Sequence, residues 1–524
     1  MEHAQIEARA GPAAESPSSS QALAAPAALR ALAAFGPPAA LVAVVAGAAF
    51  LRFANLATNP GGLYPDEAAE GLDAQRLLYV PGFHPVFFHD DGGREALFGY
   101  LVAGAFRLAG ETVLALRGTA ALIGVLAVMA IWLLGRRFGT WTGIAAAAWA
   151  AGSLWLVCVS RDGMRVMLVP LFGALALAAL ITWSDRPSRW PAAAAGAVTA
   201  AAALYTYQPL KLLPVLVLAW LLWVRRVDPA AYRRLLPGVR PFVVAFVIVA
   251  LPMAVAAIAD PSNYLGRAAA VTPFNPGVQA EDSLPVHWAR TLGMFAIVGD
   301  PNGRHDVAEL PLLGWPLTLV AAAGVVRLWR LRRDGAHALV LLSLPLFLVP
   351  PLVAVEGYSP HFLRSLGLAA PLAVTIALGL AELAGQARRR WGPPAARLTA
   401  LVTAAGLVVL SVGSGLAYLS RPVADRYDAF TFDLVAIANV AGAAPRAAVV
   451  LDDYSATVVR FLDFHNDVSI VAPGSRIPDP GAFSVVVART RDDLARAVGP
   501  ELTARAVAAT TDPSGRVTAW AVAP

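Results

Sequence analysis

Residues 160–185 read SRDGMRVMLVPLFGALALAALITWSD: three charged side chains fall in the first six positions, and the run 166–184 has none. A helix crossing the hydrocarbon core of a bilayer takes about 20 apolar residues, with a range of roughly 17–25. The run predicts a membrane span, with Arg161, Asp162 and Arg165 at its mouth. The pattern repeats in both directions. Uncharged runs occupy 31–51, 118–135, 138–160, 190–210, 241–259, 310–326, 335–355, 365–381 and 398–420. A shorter one, 212–224, follows Lys211, a side chain that can snorkel to a membrane surface. A soluble protein with buried core helices does not produce so many runs of this length. The composition agrees: 15% of residues are charged, against about 25% in an ordinary soluble chain. The expected class is an all-α polytopic membrane protein with about eleven transmembrane helices.

Lys211 is the only lysine, so arginine carries the basic charge, and the net +6 lies mostly between the apolar runs. That placement points to membrane topology and not to nucleic acid. Short basic loops stay in the cytoplasm. Segments 136–137, 185–189, 225–240, 327–334 and 386–397 are net basic. Placing all of them inside leaves 52–117, 160–165, 205–211, 260–309 and 356–364 outside, with a cytoplasmic N-terminus and an outer C-terminus on a bacterial-type plasma membrane. Segment 96–110 (ALFGYLVAGAFRLAG) is apolar but short and carries Arg107. If it crossed, every later basic loop would face out, so it reads as a helix lying on or dipping into the outer surface. The single cysteine, Cys158, offers neither a disulfide nor a metal cluster. Residues 1–30, rich in Ala, Ser and Pro, read as a disordered cytoplasmic tail. The first apolar run is too long for a signal-peptide core and reads as a retained anchor.

Residues 421–524 have a different texture. Short β-rich runs at 447–451, 468–471, 483–488 and 517–523 alternate with helical stretches near 456–464 and 491–498. A small extracytoplasmic α/β domain is expected there, after a transmembrane domain over 31–420.

Chemistry-capable residues gather in the outer loops. The first opens GGLYPDEAAEGLDAQRLL from Gly61 and continues to HPVFFHDDGGREALFGYL from His84, with eight acids and two histidines in 52–117. Pro65 followed by Asp66 and Glu67 is ordinary chemistry for a helix start. The same acids, with a second cluster at Asp91 and Glu95, are also suited to supplying a general base or binding a metal. Arg161, Arg165 and Lys211 lie on the side where basic residues are disfavoured. Snorkelling explains such cations, and so does anion binding, because guanidinium forks match phosphate oxygens. GDPNGRHD (299–306) adds Arg304 and His305, and GYSPHFLRS (357–365) adds His361 and Arg364.

The order PDEAAEGLD, GREALFGYL, an arginine-led span ending in RRFG, then SRDGMR, YTYQP, GDPNGRHD and PHFLRS resembles the bacterial branch of the protein-mannosyltransferase superfamily. These are phospholipid-carrier-dependent glycosyltransferases, and the aminoarabinose transferases of lipid A are their relatives. The resemblance covers roughly residues 35–420. It implies a GT-C fold and a sugar delivered on a polyprenyl phosphate. It further implies inverting attack by an acceptor hydroxyl of a lipid, glycan or protein. The family's first-loop acidic motif maps onto Asp66 and Glu67, with the aspartate as base. On this reading Arg161, Arg165, Lys211, His361 and Arg364 meet the donor phosphate, and Asp162, Arg304 and His305 are further candidates on the outer face. Where related transferases carry an acid before Lys-Pro-Pro-Leu, this chain reads GREAL, with Glu95 out of register and no proline pair. No cofactor is required by the resemblance. A divalent cation stays open, because related oligosaccharyltransferases use one and the mannosyltransferase branch generally does not. The competing function is a transporter or flippase of lipid-linked sugars, which favours ionisable residues deep in the spans and internal repeats. This chain banks its charge at one face. A catalytically silent sugar-binding relative is the third reading.

Overall fold

The computed structural model describes residues 27–89 and 93–524, with side chains described from residue 36 onward except that of Arg267. Of the expected tail, residues 1–26 lie outside the described residues, and 27–30 belong to the first helix. Helices α1 (Ala27–Phe53), α2 (Pro65–Tyr79), α3 (Leu97–Ala109), α4 (Val113–Gly135), α5 (Thr140–Gly152), α6 (Leu154–Ser160), α7 (Leu168–Asp185), α8 (Arg189–Tyr205), α9 (Leu213–Val227) and α10 (Pro229–Ala259) form the first part of the chain. Then follow α11 (Pro261–Ala270), α12 (Leu284–Gly293), α13 (Gly314–Arg330), α14 (Gly335–Val353), α15 (Ala369–Trp391) and α16 (Pro393–Leu419). Two short strands, β1 (Phe87–Phe88) and β2 (Arg94–Glu95), pair antiparallel just before α3.

Each apolar run in the sequence is helical, and the run 138–160 is broken into α5 and α6. Among the described residues, seven helices are long and apolar enough to cross a membrane, and the count is eight if the pair α5–α6, bent by 60°, is one span. The chain is a multi-pass membrane protein. The expected count of eleven rests on three further helices, α8, α9 and α13, of 17, 15 and 17 residues. At 1.5 Å per residue these rise about 22–26 Å, short of a core about 30 Å thick. Helix α3, 13 residues long, is too short to span, as the surface reading requires. One expected loop is not a loop. Most of 225–240 is helical, ending α9 and opening the 31-residue α10, whose start is capped by Asp228 accepting from the Ala231 N–H. About 46 Å of helix exceeds the hydrocarbon core, so its arginine-bearing first turns project beyond it.

The core of the bundle is α4, α7 and α15, which are mostly buried, while α1, α10 and α16 present most of their surface outward. Ile248, Val255, Ile258, Val408 and Val409 on the outer helices are exposed, as a lipid-facing surface requires. The tightest packing uses small residues. A Cβ on Gly324 of α13 would fall 1.9 Å from the Thr375 carbonyl of α15, and one on Gly379 of α15 would fall 2.0 Å from the Val320 carbonyl. Glycine lets these two backbones touch.

The C-terminal part is an α/β unit. Its helices are α17 (Phe432–Gly442), α18 (Asp453–Leu462), α19 (Arg491–Val498) and α20 (Pro500–Thr503), and its strands are β3 (Ala447–Val450), β4 (Val468–Val471), β5 (Val485–Ala488), β6 (Val507–Thr511) and β7 (Val517–Val522). The sheet order is β4-β3-β5-β7-β6; β3 is parallel to β4 and β5, and β7 is antiparallel to β5 and β6. The four expected strands are present. The fifth, β6, is a largely exposed edge strand without a run of large apolar residues.

The alternation of helices brings the acid-bearing loops to one end of the bundle and the arginine clusters to the other, where Arg327, Arg330 and Arg389 surround Glu382 at 3.3 Å each. The positive-inside rule then predicts the orientation. In a Cys158→Ser background, Asn275→Cys should react with a membrane-impermeant maleimide in intact cells, and Ala230→Cys only after the membrane is permeabilised. Labelling of both from one side overturns this orientation.

Candidate active site at the mouth of the bundle

Helix α2 organises the site. Tyr64 is extended, and Pro65 takes the first helical position, where its missing N–H is no loss. Glu67, Glu70 and Asp73 follow at intervals of three, so they share one face. All are buried, and each meets an arginine from a different part of the chain. Arg117, in the first turns of α4, forks Glu67, with Nε 2.6 Å from Oε1 and Nη2 2.8 Å from Oε2. The Gly163 N–H adds a 2.8 Å bond to the same Oε1. Arg165 donates to Glu70 at 2.6 Å and lies 3.4 Å from Glu95. Arg94 donates to Asp73 at 2.7 Å. Lys211 closes the row, 3.3 Å from Glu95 and over the Tyr264 ring at 4.5 Å.

Asp66 stands apart from that row. It is partly exposed, forms no ion pair with an arginine or lysine among the described residues, and accepts the Tyr454 hydroxyl at 2.6 Å. Tyr454 belongs to α18, so the α/β unit reaches into the site. Burial, and then the Asp66 charge, push the Tyr454 hydroxyl well above its ordinary range, which keeps it a donor. Its ring meets Tyr64 edge-on at 6.1 Å, and the Arg304 guanidinium lies 3.3 Å over the Tyr64 ring. Arg304 is buried and likewise forms no ion pair among the described residues.

Asp162 is buried, and neither carboxylate oxygen has a hydrogen-bond partner among the described residues. Burial and the neighbouring Glu67 charge raise its pKa well above the carboxylate range. Asp306 is pushed up to about 8, chiefly by burial. Asp300 ties the two later loops together: its Oδ2 lies 3.0 Å from His305 Nδ1 and accepts the Phe362 N–H at 2.7 Å. His361 lies beside His305, ring centroids 5.1 Å apart, and stacks on Tyr358. Asp300, His305 and His361 form the group best placed to hold a metal ion.

Two of the cations expected at the donor phosphate are committed elsewhere. Arg161 is fully buried and donates to the carbonyls of Leu51, Ala54 and Asn59 at 2.7–2.8 Å, with Tyr418 beneath its guanidinium. Its fork fastens the turn after α1. Arg364 donates to the Ala354 and Glu356 carbonyls, at 2.7 Å each. Arg165 and Lys211 instead converge on Glu95. Asp91 lies outside the described residues. The residues missed in the sequence are Glu70, Asp73, Arg117, Asp300 and Tyr454. The spacing 67, 70, 73 signals the acid face of α2, whereas no local pattern marks Tyr454.

Residues 95–258 match the model of the dolichyl-phosphate-mannose-protein mannosyltransferase family. The structure is similar to ArnT from Cupriavidus metallidurans in the apo state, with a TM-score of 0.57 at 14% identity, covering 94% of this chain and 98% of that one. ArnT bound to undecaprenyl phosphate gives 0.56 at 14%, covering 92% and 97%. The oligosaccharyltransferase of Archaeoglobus fulgidus, tethered to an acceptor peptide, gives 0.51 at 13%, covering 89% and 71%. The chain has the GT-C fold. The resemblance to the protein-mannosyltransferase superfamily read from the motifs is borne out by these matches. No curated protein sequence matches the chain.

The buried fork to Arg117 predicts that Glu67 holds α2 in place, and Glu67→Gln tests it. Removing one charge of a buried pair strands the other, at a cost of about 3 kcal/mol or more. The detergent-solubilised variant should melt earlier than the wild type, and an unchanged melting point contradicts the role. Asp306 predicts a pH effect. Its folded pKa lies above its unfolded one, so its contribution is greatest at low pH and is lost as pH rises toward about 8. Asp306→Asn should therefore gain stability over the wild type at pH 8, by about 1 kcal/mol or more, and lose that advantage at pH 4. Parallel melting curves at both pH values would refute it.

Proposed function

We propose that this protein is a membrane glycosyltransferase. It moves a sugar from a polyprenyl-phosphate carrier to an acceptor hydroxyl at the outer face of the membrane, with inversion and with Asp66 as the general base. The observation that carries this reading is the division of the acids on α2: Glu67, Glu70 and Asp73 are bound to arginines, and Asp66 is left partly open with only a tyrosine on Oδ1. A carboxylate locked to a guanidinium is a poor base, and an accessible one without a cation is a good one.

The chemistry follows from the positions. The acceptor O–H gives its proton to Asp66, and its oxygen bonds to the anomeric carbon as the bond from that carbon to the phosphate oxygen breaks. Both bonding electrons leave with the phosphate, whose growing charge needs cations. Arg165 and Lys211 lie beside Glu95, and Glu70, which holds Arg165, stands one helical turn from Asp66, about 6 Å of rise. Arg304, without an ion pair of its own, adds positive potential on the other side of Tyr64. Donors fixed in a partly desolvated cleft stabilise a leaving oxyanion more strongly than water does. Tyr454 orients Asp66 through Oδ1 and leaves Oδ2 for the acceptor. The relative bound to undecaprenyl phosphate supports a lipid-phosphate carrier, and the relative tethered to an acceptor peptide supports counting a polymer as well as a lipid among the acceptors.

Asp66→Asn keeps shape and hydrogen bonding but cannot take a proton. Turnover of lipid-linked sugar, followed by mass spectrometry of the lipid carrier and the envelope glycans, should fall by roughly 10²–10⁴. Binding of undecaprenyl phosphate should be nearly unchanged. Full turnover by Asp66→Asn removes Asp66 from the reaction, and unaltered glycans in cells lacking the protein remove the glycosyltransferase reading itself.

A further inference from the structure

We propose that Asp300, His305 and His361 form a binding site for one transition-type divalent cation of the zinc class, which clips the outer loop before α13 to the outer loop after α14. The three residues come from segments that meet only in the folded chain: Asp300 and His305 precede α13, and His361 follows α14. One ligand atom from each lies within 4.8 Å of the others. Zinc bonds of about 2.0–2.2 Å set tetrahedral ligand atoms roughly 3.3 Å apart, so a closure of at most about 1.5 Å completes the set. Asp300 Oδ2 and His305 Nδ1, 3.0 Å apart, already stand near that separation.

A second observation points to a ligand. His305 is 1% exposed, and its Nε2 has no hydrogen-bond partner among the described residues. A buried ring nitrogen without a partner loses its hydration for nothing, a cost that a metal bond removes. If Nε2 takes the metal, the Nδ1 bond to Asp300 is the carboxylate support that metal-binding imidazoles commonly have; if Nδ1 takes it, Asp300 shares the ion directly. Two imidazoles and one carboxylate suit zinc-class ions and fit neither magnesium nor calcium, which take oxygen ligands.

Placement gives the site its role. Arg304, the residue before His305, lies over the Tyr64 ring, and Tyr64 meets Tyr454, the hydrogen-bond partner of Asp66. An ion joining the two loops therefore fixes Arg304 and His361 at the edge of the cleft that holds Asp66. This does not depend on which reaction the cleft performs.

The test uses the full chain in detergent, stripped with a chelator and titrated with Zn²⁺ alone. One equivalent should bind per chain and raise the melting temperature, and excess Mg²⁺ should not displace it. His305→Ala and His361→Ala should each weaken Zn²⁺ binding at least 100-fold and abolish the thermal shift. His84→Ala, outside the cluster, should leave both intact. For a variant that folds poorly, His361→Asn and the visible bands of Co²⁺ bound to the wild type give the second reading, with bands present in the wild type and lost in the variant. No stoichiometric Zn²⁺ on the wild type, or wild-type affinity in both histidine variants, overturns the proposal.

Discussion

The ionic face of α2 is the constraint from which the rest of the outer end follows. Three carboxylates on one helical face are paired with arginines at 94, 117 and 165, drawn from a short hairpin, a central span and the turn before another span. Such pairs give little net stability, because stripping water from both charges offsets much of their attraction. Their effect is positional. Any rotation or slide of α2 separates several buried opposite charges at once, each at a cost of several kcal/mol. The helix is thereby held in one register against the bundle, and the loops that supply its partners are held with it. Glu95 extends the network by joining Arg165 to Lys211, so the start of α9 is registered against the same helix.

The spans were legible because membrane thickness is a length rule that each segment satisfies by itself. Four strands of the terminal unit were legible for a similar reason, since buried apolar runs between turns mark themselves. The edge strand Val507–Thr511 did not, because exposure on one side relieves it of that composition. Asp66 and Glu67 could both be singled out from the acidic motif and the helix start, but the fork between Glu67 and Arg117 could not. Arg117 lies 50 positions away from Glu67. Arg161 shows the same limit from the other side. An arginine beside a span looks like an anion site, yet its guanidinium is spent on three backbone carbonyls that no local pattern places near it. Charge type was readable, and charge pairing was tertiary.

Helix geometry alone does not set Asp66 apart. At about 100° per residue it lies within roughly 40° of Glu70 and 20° of Asp73. Its difference is its place in the first turn of α2, where it meets Tyr454 of the α/β unit and no arginine. That unit also packs against α2 further along. Phe461 packs so closely on Gly71 that a Cβ there would fall 2.5 Å from its ring, and the Phe461 carbonyl accepts from Gln75 at 3.1 Å. Just upstream, the Leu63 N–H donates to the Phe430 carbonyl at 2.7 Å, and Thr431 donates its hydroxyl to the Leu63 carbonyl at 2.6 Å. The helix is thus gripped both by charge and by close apolar contact. The terminal unit is then part of the site itself, because the hydrogen bond that orients the one uncommitted carboxylate of α2 comes from a residue almost four hundred positions further along the chain.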